Sequence, residues 1–169
     1  MSITYRQCIP GDEAALALLG GATFLETYAL SANGADILSY VAQEHTPEAY
    51  RAMLVDPEIK IWAAETDEGK SLIGFVVLAT AEPDDPSSGE IKRLYVLHRF
   101  HGEGLGSRLL KQAVQAAQSD GCRKLSLIVQ DLNASAENFY RRFGFEIVHV
   151  EPCRVGSTDY VVSVMQLSL

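Results

Sequence analysis

The stretch Leu94-Tyr-Val-Leu-His-Arg-Phe-His-Gly-Glu-Gly-Leu-Gly-Ser-Arg-Leu-Leu110 carries glycines at positions 102, 104 and 106. The residues before the glycines, Glu90 to Leu97, suit a strand, and the apolar residues from Leu105 to Ala117 recur at helical spacing. In a strand–glycine–helix turn, backbone N–H groups converge on an anion, and the helix N-terminus adds roughly half a positive charge. The turn therefore predicts an α/β fold with a phosphate-binding loop that needs no basic surface.

The spacing of these glycines excludes two other nucleotide motifs. A dinucleotide fingerprint would need glycine at position 107, where Ser107 stands. A Walker loop would need glycine-lysine before a serine or threonine, and the stretch has none. Taken alone, the turn is also compatible with a structural connection that binds no ligand.

Strand-like and helix-like segments alternate along the whole chain, in the predicted order β-α-α-β-β-β-α-β-α-β-β. The Gly20-Gly21 pair interrupts the first helical pattern and predicts a break or bend. Thr46-Pro47-Glu48 predicts a helix start, the turn Asp67 to Lys70 predicts a β-hairpin, and residues 82–89 predict a polar loop. The patterns of Lys124 to Gln130 and of Phe145 to Val150 predict strands, and that of Ala134 to Arg142 predicts a short helix. Because no repeat or low-complexity segment is present, residues 1–169 are expected to form one mixed α/β domain with helices on both faces of the sheet.

Composition and charge exclude several classes of protein. Of the 169 residues, 47% are hydrophobic, and 14 lysines and arginines against 22 acids give a formal net charge of −8. Such a chain is not expected to bind nucleic acid, because that affinity comes from clustered positive charge. The most apolar run, Leu72 to Ala81, is about half of the ~20 residues that span a bilayer, and the N-terminus lacks a secretion signal. Cys8, Cys122 and Cys153 form no CxxC pair, so we expect a cytoplasmic protein with reduced cysteines and no metal site.

Two blocks of sequence resemble one enzyme family. Arg99-x-x-Gly102-x-Gly104 resembles the Q/R-x-x-G-x-G/A signature of the GCN5-related N-acetyltransferases (GNAT), where this loop holds the pyrophosphate of acetyl-coenzyme A. The segment Asn133-Ala-Ser-Ala-Glu-Asn-Phe-Tyr-Arg-Arg-Phe-Gly-Phe145 resembles the family's N-x-x-A-x-x-F-Y-x-x-x-G-F block. The resemblance extends over essentially the whole chain. It implies the GNAT fold, a central mixed, mostly antiparallel twisted sheet of about seven strands with helices on both faces.

The resemblance also assigns the donor site and part of the catalytic machinery. It places Tyr140 beside the coenzyme sulfur as general acid, since a phenol of pKa about 10 can protonate a thiolate whose thiol pKa is near 8.5. It makes the Val96 N–H the donor to the oxyanion. The alternatives are a core tyrosine at Tyr140 and an ordinary helix N-cap at Asn133. The residues expected to bind acetyl-coenzyme A are Leu94, Tyr95, Val96, Arg99, Gly102, Gly104, Leu105, Gly106, Ser107, Asn133 and Ala136.

The general base is assigned by a looser resemblance. In the histone acetyltransferases of the superfamily, a glutamate at the strand position that matches Glu90 acts as the base. Strand alternation would place Glu90, Lys92, Leu94 and Val96 on one face, so that Glu90 looks toward the acetyl site. The alternatives are a water relay and a solvated Glu90 without a catalytic role.

The acceptor is expected to be a small cationic amine that attacks directly in a ternary complex. Thr23-Phe-Leu-Glu-Thr-Tyr28, Glu90-Ile-Lys-Arg-Leu-Tyr-Val96 and Gly156-x-x-Asp159 look most like the bacterial spermidine/spermine N-acetyltransferase branch. Phe24 and Tyr28, one helical turn apart, would line the amine tunnel, the alternative being that the pair is simply part of the core. An acidic chain also attracts polyamines. Two alternatives stay open: an acetyltransferase for protein N-termini or lysines, and a module that binds acetyl-coenzyme A without turnover. A homodimer is neither required nor excluded.

Overall fold

The computed structural model of the protein describes residues 2–81, 85–131 and 133–169. The strands are β1 (Ile3–Gln7), β2 (Ile59–Thr66), β3 (Leu72–Ala79), β4 (Ser88–Val96), β5 (Lys124–Gln130), β6 (Glu146–Val155) and β7 (Thr158–Ser168). The helices are α1 (Glu13–Tyr28), α2 (Gly34–Glu44), α3 (Pro47–Val55), α4 (Leu105–Ser119) and α5 (Ala134–Arg142), with one 3-10 turn at His98–Phe100.

One seven-stranded sheet organises the domain, with strand order β1-β2-β3-β4-β5-β7-β6. Neighbouring strands are antiparallel except β4 and β5, which run parallel. This arrangement confirms the predicted mixed, mostly antiparallel sheet.

Helices cover both faces of the sheet, as predicted, and the buried side chains form two clusters. Under α4 and α5, Leu109 packs in one cluster with Leu125 of β5. Under α1 and α3, Leu16 and Tyr50 pack with Phe75 of β3. All residues of β3 are buried, which is the pattern of a central strand covered on both sides.

Two helical features differ from the prediction. α1 continues through the Gly20-Gly21 pair without a break, because the side chains of His45 and Tyr50 pack where a Gly20 side chain would lie. This close packing outweighs the low helix propensity of glycine, which is about 1 kcal/mol per residue. The second helix, α2, is missing from the predicted order of elements. Asn33 begins it by accepting the Ala35 N–H at 2.9 Å.

Most other boundaries agree with the prediction. β5 and α5 have the expected limits, and Thr46 begins α3 by accepting the Ala49 N–H at 3.1 Å. β4 begins earlier than expected, at Ser88, so the polar loop predicted over residues 82–89 is shorter. Residues 82–84 of that loop lie outside the described residues. β6 continues to Val155 and forms a long hairpin with β7.

Two of the three cysteines, Cys8 and Cys122, are buried, and burial raises the pKa of both thiols. Cys8, Cys122 and Cys153 are free, and burial raises the pKa of the Cys8 thiol to about 12. A thiol with so high a pKa stays protonated and unreactive near neutral pH. Over the described ranges, no helix is both long and apolar enough to cross a membrane.

Candidate active site

A gap opens in the sheet between the two parallel strands. β4 and β5 pair at only three positions, Ser88 with Lys124, Gly89 with Leu125 and Glu90 with Ser126. Beyond Glu90, β4 continues beside β3 while β5 continues beside β7. Within the described ranges, the edge of β4 that faces β5 therefore has no strand partner over its second half.

The Val96 N–H points into this gap, because alternate residues of β4 turn their N–H groups toward β3 and away from it. Leu97 donates its N–H to the Ile73 carbonyl at 3.0 Å, so these two residues form a hydrogen-bonded pair of the β3–β4 ladder. Val96 lies opposite Gly74 in the same ladder and therefore turns its N–H and C=O away from β3. The Val96 carbonyl lies 2.8 Å from His101 Nε2 on that outer edge. The predicted oxyanion donor thus points to the side from which β5 has diverged.

The glycine turn has the backbone geometry of an anion loop. Gly102 and Gly104 have positive φ angles of +83° and +82°, and open space surrounds the Cβ direction of both. Gly104 is the N-cap of α4 and no side chain caps the helix. The N–H groups of the first turn, at Leu105, Gly106 and Ser107, have no intrahelical acceptor. The loop therefore offers both the space and the donors that a diphosphate requires.

The turn adjoins the gap on the side of α5. The Cβ direction of Gly106 points at Phe139 of α5, 3.7 Å away, and at the Val96 side chain, 3.9 Å away. Arg99 is exposed, with its guanidinium 5.5 Å from the Phe100 ring centroid. A chain bound at the turn could therefore follow β4 toward Val96.

Asn133 caps α5 and also contacts α1. Its Oδ1 accepts the Ala136 N–H at 3.1 Å, so the N-cap alternative is realised. The phenol of Tyr28 lies near the same side chain, and the pKa of this phenol is raised because the group is buried. Ala136 itself packs at the edge of the cluster under α4.

Tyr140 is a buried phenol close to Tyr28. It is 8% exposed and packs edge-on against Phe139 and Phe145, at ring-centroid distances of 5.2 and 5.7 Å. Burial raises the pKa of Tyr140 well above its ordinary value, and the neighbouring Tyr28 phenol adds to the effect. A group of this kind stays protonated at neutral pH and can donate its proton.

A β-bulge in β4 places Glu90 on a different face of the strand from the one that the sequence predicts. Arg93 lies opposite Val77 and Ile91 lies opposite Leu78, so Lys92 is the extra residue of β4. Because the bulge shifts the alternation, Glu90 does not share a face with Leu94 and Val96, contrary to the prediction. Leu94 and Val96 pack in the cluster under α4, whereas Tyr95 contacts the cluster under α1 and α3.

A cavity of about 210 Å³ lies on the α2–α3 side of β4. Glu90 lines it, and its Oε2 lies 3.0 Å from Lys92 Nζ. The other lining residues are Tyr40, Glu44, Met53, Ile59 and Arg93. Glu90 thus faces a cavity that borders the part of β4 paired with β5.

Arg93 is a site residue that the sequence analysis missed. It is 6% exposed, and its Nη2 donates to Glu44 Oε2 at 2.9 Å. Its guanidinium lies 5.1 Å from the ring centroid of Tyr50, and its charge also acts on the nearby Tyr40 phenol. The sequence contained one signal for it, because Arg93 stands between apolar residues of a predicted strand. An arginine buried in this way needs partners for its charge.

Phe24 and Tyr28, the predicted substrate residues, belong to an aromatic group between α1 and α2. Phe24 is buried and stacks on Tyr40 with ring centroids 4.3 Å apart and planes 13° apart. Tyr28 packs on Phe24 at 4.7 Å and directs its phenol toward Asn133. Phe24 therefore packs behind Tyr40, which lines the cavity. Tyr28 lies between Phe24 and Tyr140.

His45 completes the aromatic group and was also missed. Its Nδ1 lies 2.9 Å from the Tyr50 hydroxyl, and its buried Nε2 has no hydrogen-bond partner among the described residues. Burial, with a smaller contribution from Arg93, lowers the pKa of His45 to about 4. The imidazole is therefore neutral at pH 7.

Comparisons with known proteins identify similar sequences. The model of the acetyltransferase (GNAT) family matches residues 25–145. An uncharacterised N-acetyltransferase of Mycobacterium tuberculosis is 29% identical over 129 residues, which cover 75% of this chain and 80% of that protein. An uncharacterised N-acetyltransferase of Archaeoglobus fulgidus is 28% identical over 120 residues, which cover 69% of this chain and 80% of that protein.

Solved structures show the same fold over the full length. PaiA N-acetyltransferase from Thermoplasma acidophilum, in complex with coenzyme A, gives a TM-score of 0.83 at 23% identity and covers 100% of both chains. A GCN5-related N-acetyltransferase from Rhodopseudomonas palustris gives 0.80 at 18% identity, with 100% of this chain and 97% of that chain covered. The fold, the family match and the gap beside the glycine turn agree, and the chain belongs to the GNAT family of acetyltransferases.

Proposed function

We propose that the protein transfers the acetyl group of acetyl-coenzyme A to a primary amine of a small cationic molecule, such as a polyamine, within a ternary complex. The observation that carries this proposal is the gap between β4 and β5. The glycine turn and the Val96 N–H border it, Tyr140 belongs to the cluster against which Val96 packs, and family membership supports acetyl transfer.

The donor is held mainly by backbone groups. The first-turn N–H groups of α4, at Leu105, Gly106 and Ser107, bind the diphosphate, and Arg99 lies nearby on the same turn. The free edge of β4, from Leu94 to Val96, binds the pantetheine arm, and Ala136 and Asn133 border it from α5. Acetyl-coenzyme A supplies the activated acetyl group and, at the end of the reaction, leaves as a thiol.

Three groups of the chain serve the chemistry. The Val96 N–H donates to the carbonyl oxygen of the acetyl group as negative charge develops there. Tyr140 donates its proton to the departing sulfur. Glu90 takes the proton of the attacking amine from the cavity side, directly or through water. Protons balance, since one leaves the amine and one reaches the thiolate.

The net charge of the chain and the aromatic lining of the cavity support a cationic acceptor. The chain carries a net charge of −8, whereas within the cavity the carboxylates of Glu44 and Glu90 are paired with Arg93 and Lys92. Tyr40 lines the cavity and presents an aromatic wall. Because an acidic chain attracts cations and ammonium groups are attracted to aromatic faces, a polyamine suits this protein.

An amine panel tests the proposal. Purified protein and acetyl-coenzyme A are incubated with spermidine, spermine, free lysine and a peptide with a free N-terminus, and thiol release is followed. Spermidine or spermine should give the highest kcat/KM, which should fall as salt screens the attraction. Acetylation of the peptide alone would identify a protein acetyltransferase. Tight coenzyme binding with no acceptor turned over would identify a binding module.

A further inference from the structure

A buried carboxylate joins α2 to the turn between β6 and β7. Asp36 is 3% exposed, and its Oδ1 accepts the Ser157 N–H at 2.9 Å and the Ser157 hydroxyl at 3.2 Å. Its Oδ2 accepts the Thr158 hydroxyl at 2.5 Å. These hydrogen bonds hold the pKa of Asp36 below its ordinary value, so the carboxylate is ionised at neutral pH.

The hairpin turn is shaped to receive this carboxylate. Gly156 has a φ of +58°, and a Cβ atom there would lie 2.1 Å from Asp36 Oδ1. Only glycine allows both the left-handed backbone and the close approach. Asp36 is not needed as the cap of its own helix, because Asn33 already accepts the Ala35 N–H.

The residues that α2 brings to the acceptor cavity lie on the same side of the helix as Asp36. Tyr40 follows one turn later and Glu44 two turns later. Tyr40 stacks on Phe24 and Glu44 binds Arg93, and both line the cavity beside β4. The position of α2 therefore determines the position of one cavity wall.

We propose that Asp36 is a positioning residue for the amine acceptor. By holding α2 against the β6–β7 turn, it fixes Tyr40 and Glu44 at the cavity, and it contributes to acceptor binding without touching the donor site. This inference rests on the proposed transfer to an amine. It predicts a selective effect on the KM for the amine, with little effect on coenzyme binding.

Three variants separate positioning from general stability. Asp36→Asn keeps the shape of the side chain but turns an amide NH2 toward hydrogen-bond donors, and Thr158→Val removes one of those donors. Thr158→Ser keeps the hydroxyl and should behave as the wild type. Asp36→Asn should raise the KM for the best amine about tenfold or more, while the coenzyme A Kd stays within about twofold.

The two substitutions should also be coupled, because they remove the same contact. Adding Thr158→Val to Asp36→Asn should raise the KM by much less than the product of the two single effects. Additive effects would overturn the inference. So would an equal loss of amine and coenzyme affinity, which is the result expected of a residue that only stabilises the fold.

Hydrogen exchange tests the contact independently of turnover. Amides of α2 from Tyr40 to Glu44 should exchange faster in Asp36→Asn and Thr158→Val, while those of α4 keep the wild-type rates. If the wild-type protein acetylates no amine, the proposed function is wrong. The exchange rates still show whether Asp36 positions α2. Unchanged exchange in α2, or faster exchange with an unchanged KM, would show that Asp36 does not position the acceptor wall.

Discussion

A Cβ atom on Gly20 of α1 would lie 2.3 Å from His45 Nδ1 and 2.5 Å from the Tyr50 hydroxyl. Both rings are buried, so neither can move aside into solvent. The absence of a side chain at Gly20 thus allows α1 to pack directly on the His45–Tyr50 hydrogen bond.

This contact predicts that Gly20→Ala destabilises the protein although alanine favours helices. The free energy of unfolding should fall by about 1–3 kcal/mol, the usual cost of overpacking a core. Gly34→Ala is the matched control, because a Cβ at the start of α2 meets nothing within 4 Å. Urea unfolding of both variants measures the effect, and equal stabilities would contradict the packing argument.

The neutral, buried His45 predicts a pH dependence of stability. The pKa of His45 is lowered from 6.5 to about 4 in the folded protein, so between these values the unfolded chain binds more protons. The contribution of His45 to the free energy of unfolding is therefore fully present above pH 6.5. It is lost as the pH falls toward 4, which lowers the free energy of unfolding by about 3 kcal/mol in all. His45→Gln cannot titrate, and its unfolding free energy should change less over this window. Identical slopes for both proteins, measured by urea unfolding, would be evidence against a neutral buried imidazole.

Gly104→Val should abolish coenzyme A binding. The new side chain would occupy the open space of the glycine turn. In the wild type, coenzyme A at a hundredfold excess over its Kd should raise the unfolding free energy by about 2.7 kcal/mol, and NAD or ATP should do much less. Gly121→Val is the control, since Gly121 has a similar φ of +87° and open surroundings at the other end of α4. A coenzyme shift retained by Gly104→Val, or a larger shift with NAD, would refute the assignment of the turn.

Tyr140→Phe should lower kcat by roughly 10²–10⁴-fold with little change in coenzyme affinity, because only the proton donor is removed. Tyr5→Phe on the edge strand β1 is the control and should keep the wild-type kcat. Since burial raises the pKa of Tyr140 above its ordinary value near 10, ionisation of this phenol should not reduce wild-type activity up to about pH 10. A Tyr140→Phe variant that keeps most turnover under chemistry-limited conditions would mean that solvent protonates the thiolate.

Glu90→Gln should lower kcat by roughly 10²–10⁴-fold if Glu90 is the base, because glutamine cannot accept the amine proton. Lys92→Met tests the neighbouring member of the same ion pair and should leave kcat within about tenfold of the wild type. Steady-state kinetics with the best amine measures both variants. A small effect of Glu90→Gln would favour the water relay instead.

Local patterns predicted much of the fold. β5 and α5 have the predicted limits because their periodicity and caps are local, and the glycine turn joins a strand to a helix as expected. The bulge at Lys92 was not predictable, since it depends on the register between β4 and β3. It reverses the face on which Glu90 lies.

The acceptor side depends on contacts between distant parts of the chain. Arg93 meets Glu44 of α2 and Tyr50 of α3, and Asp36 meets the β6–β7 turn. The apolar neighbours of Arg93 hint at its burial, but no local signal reports the partners, because they lie far away along the chain. The continuity of α1 through Gly20 has the same cause, since its neighbours come from beyond α2.

The brief pairing of β4 with β5 also has a consequence for cooperativity. It divides the sheet into two antiparallel blocks, β1 to β4 and β5-β7-β6, that share only three register pairs. α4 packs mainly on the first block and leaves few backbone links across the division. A donor molecule held at both edges of the gap would then act as an additional crosslink. We expect the blocks to open as separate folding units without coenzyme A and as one unit with it.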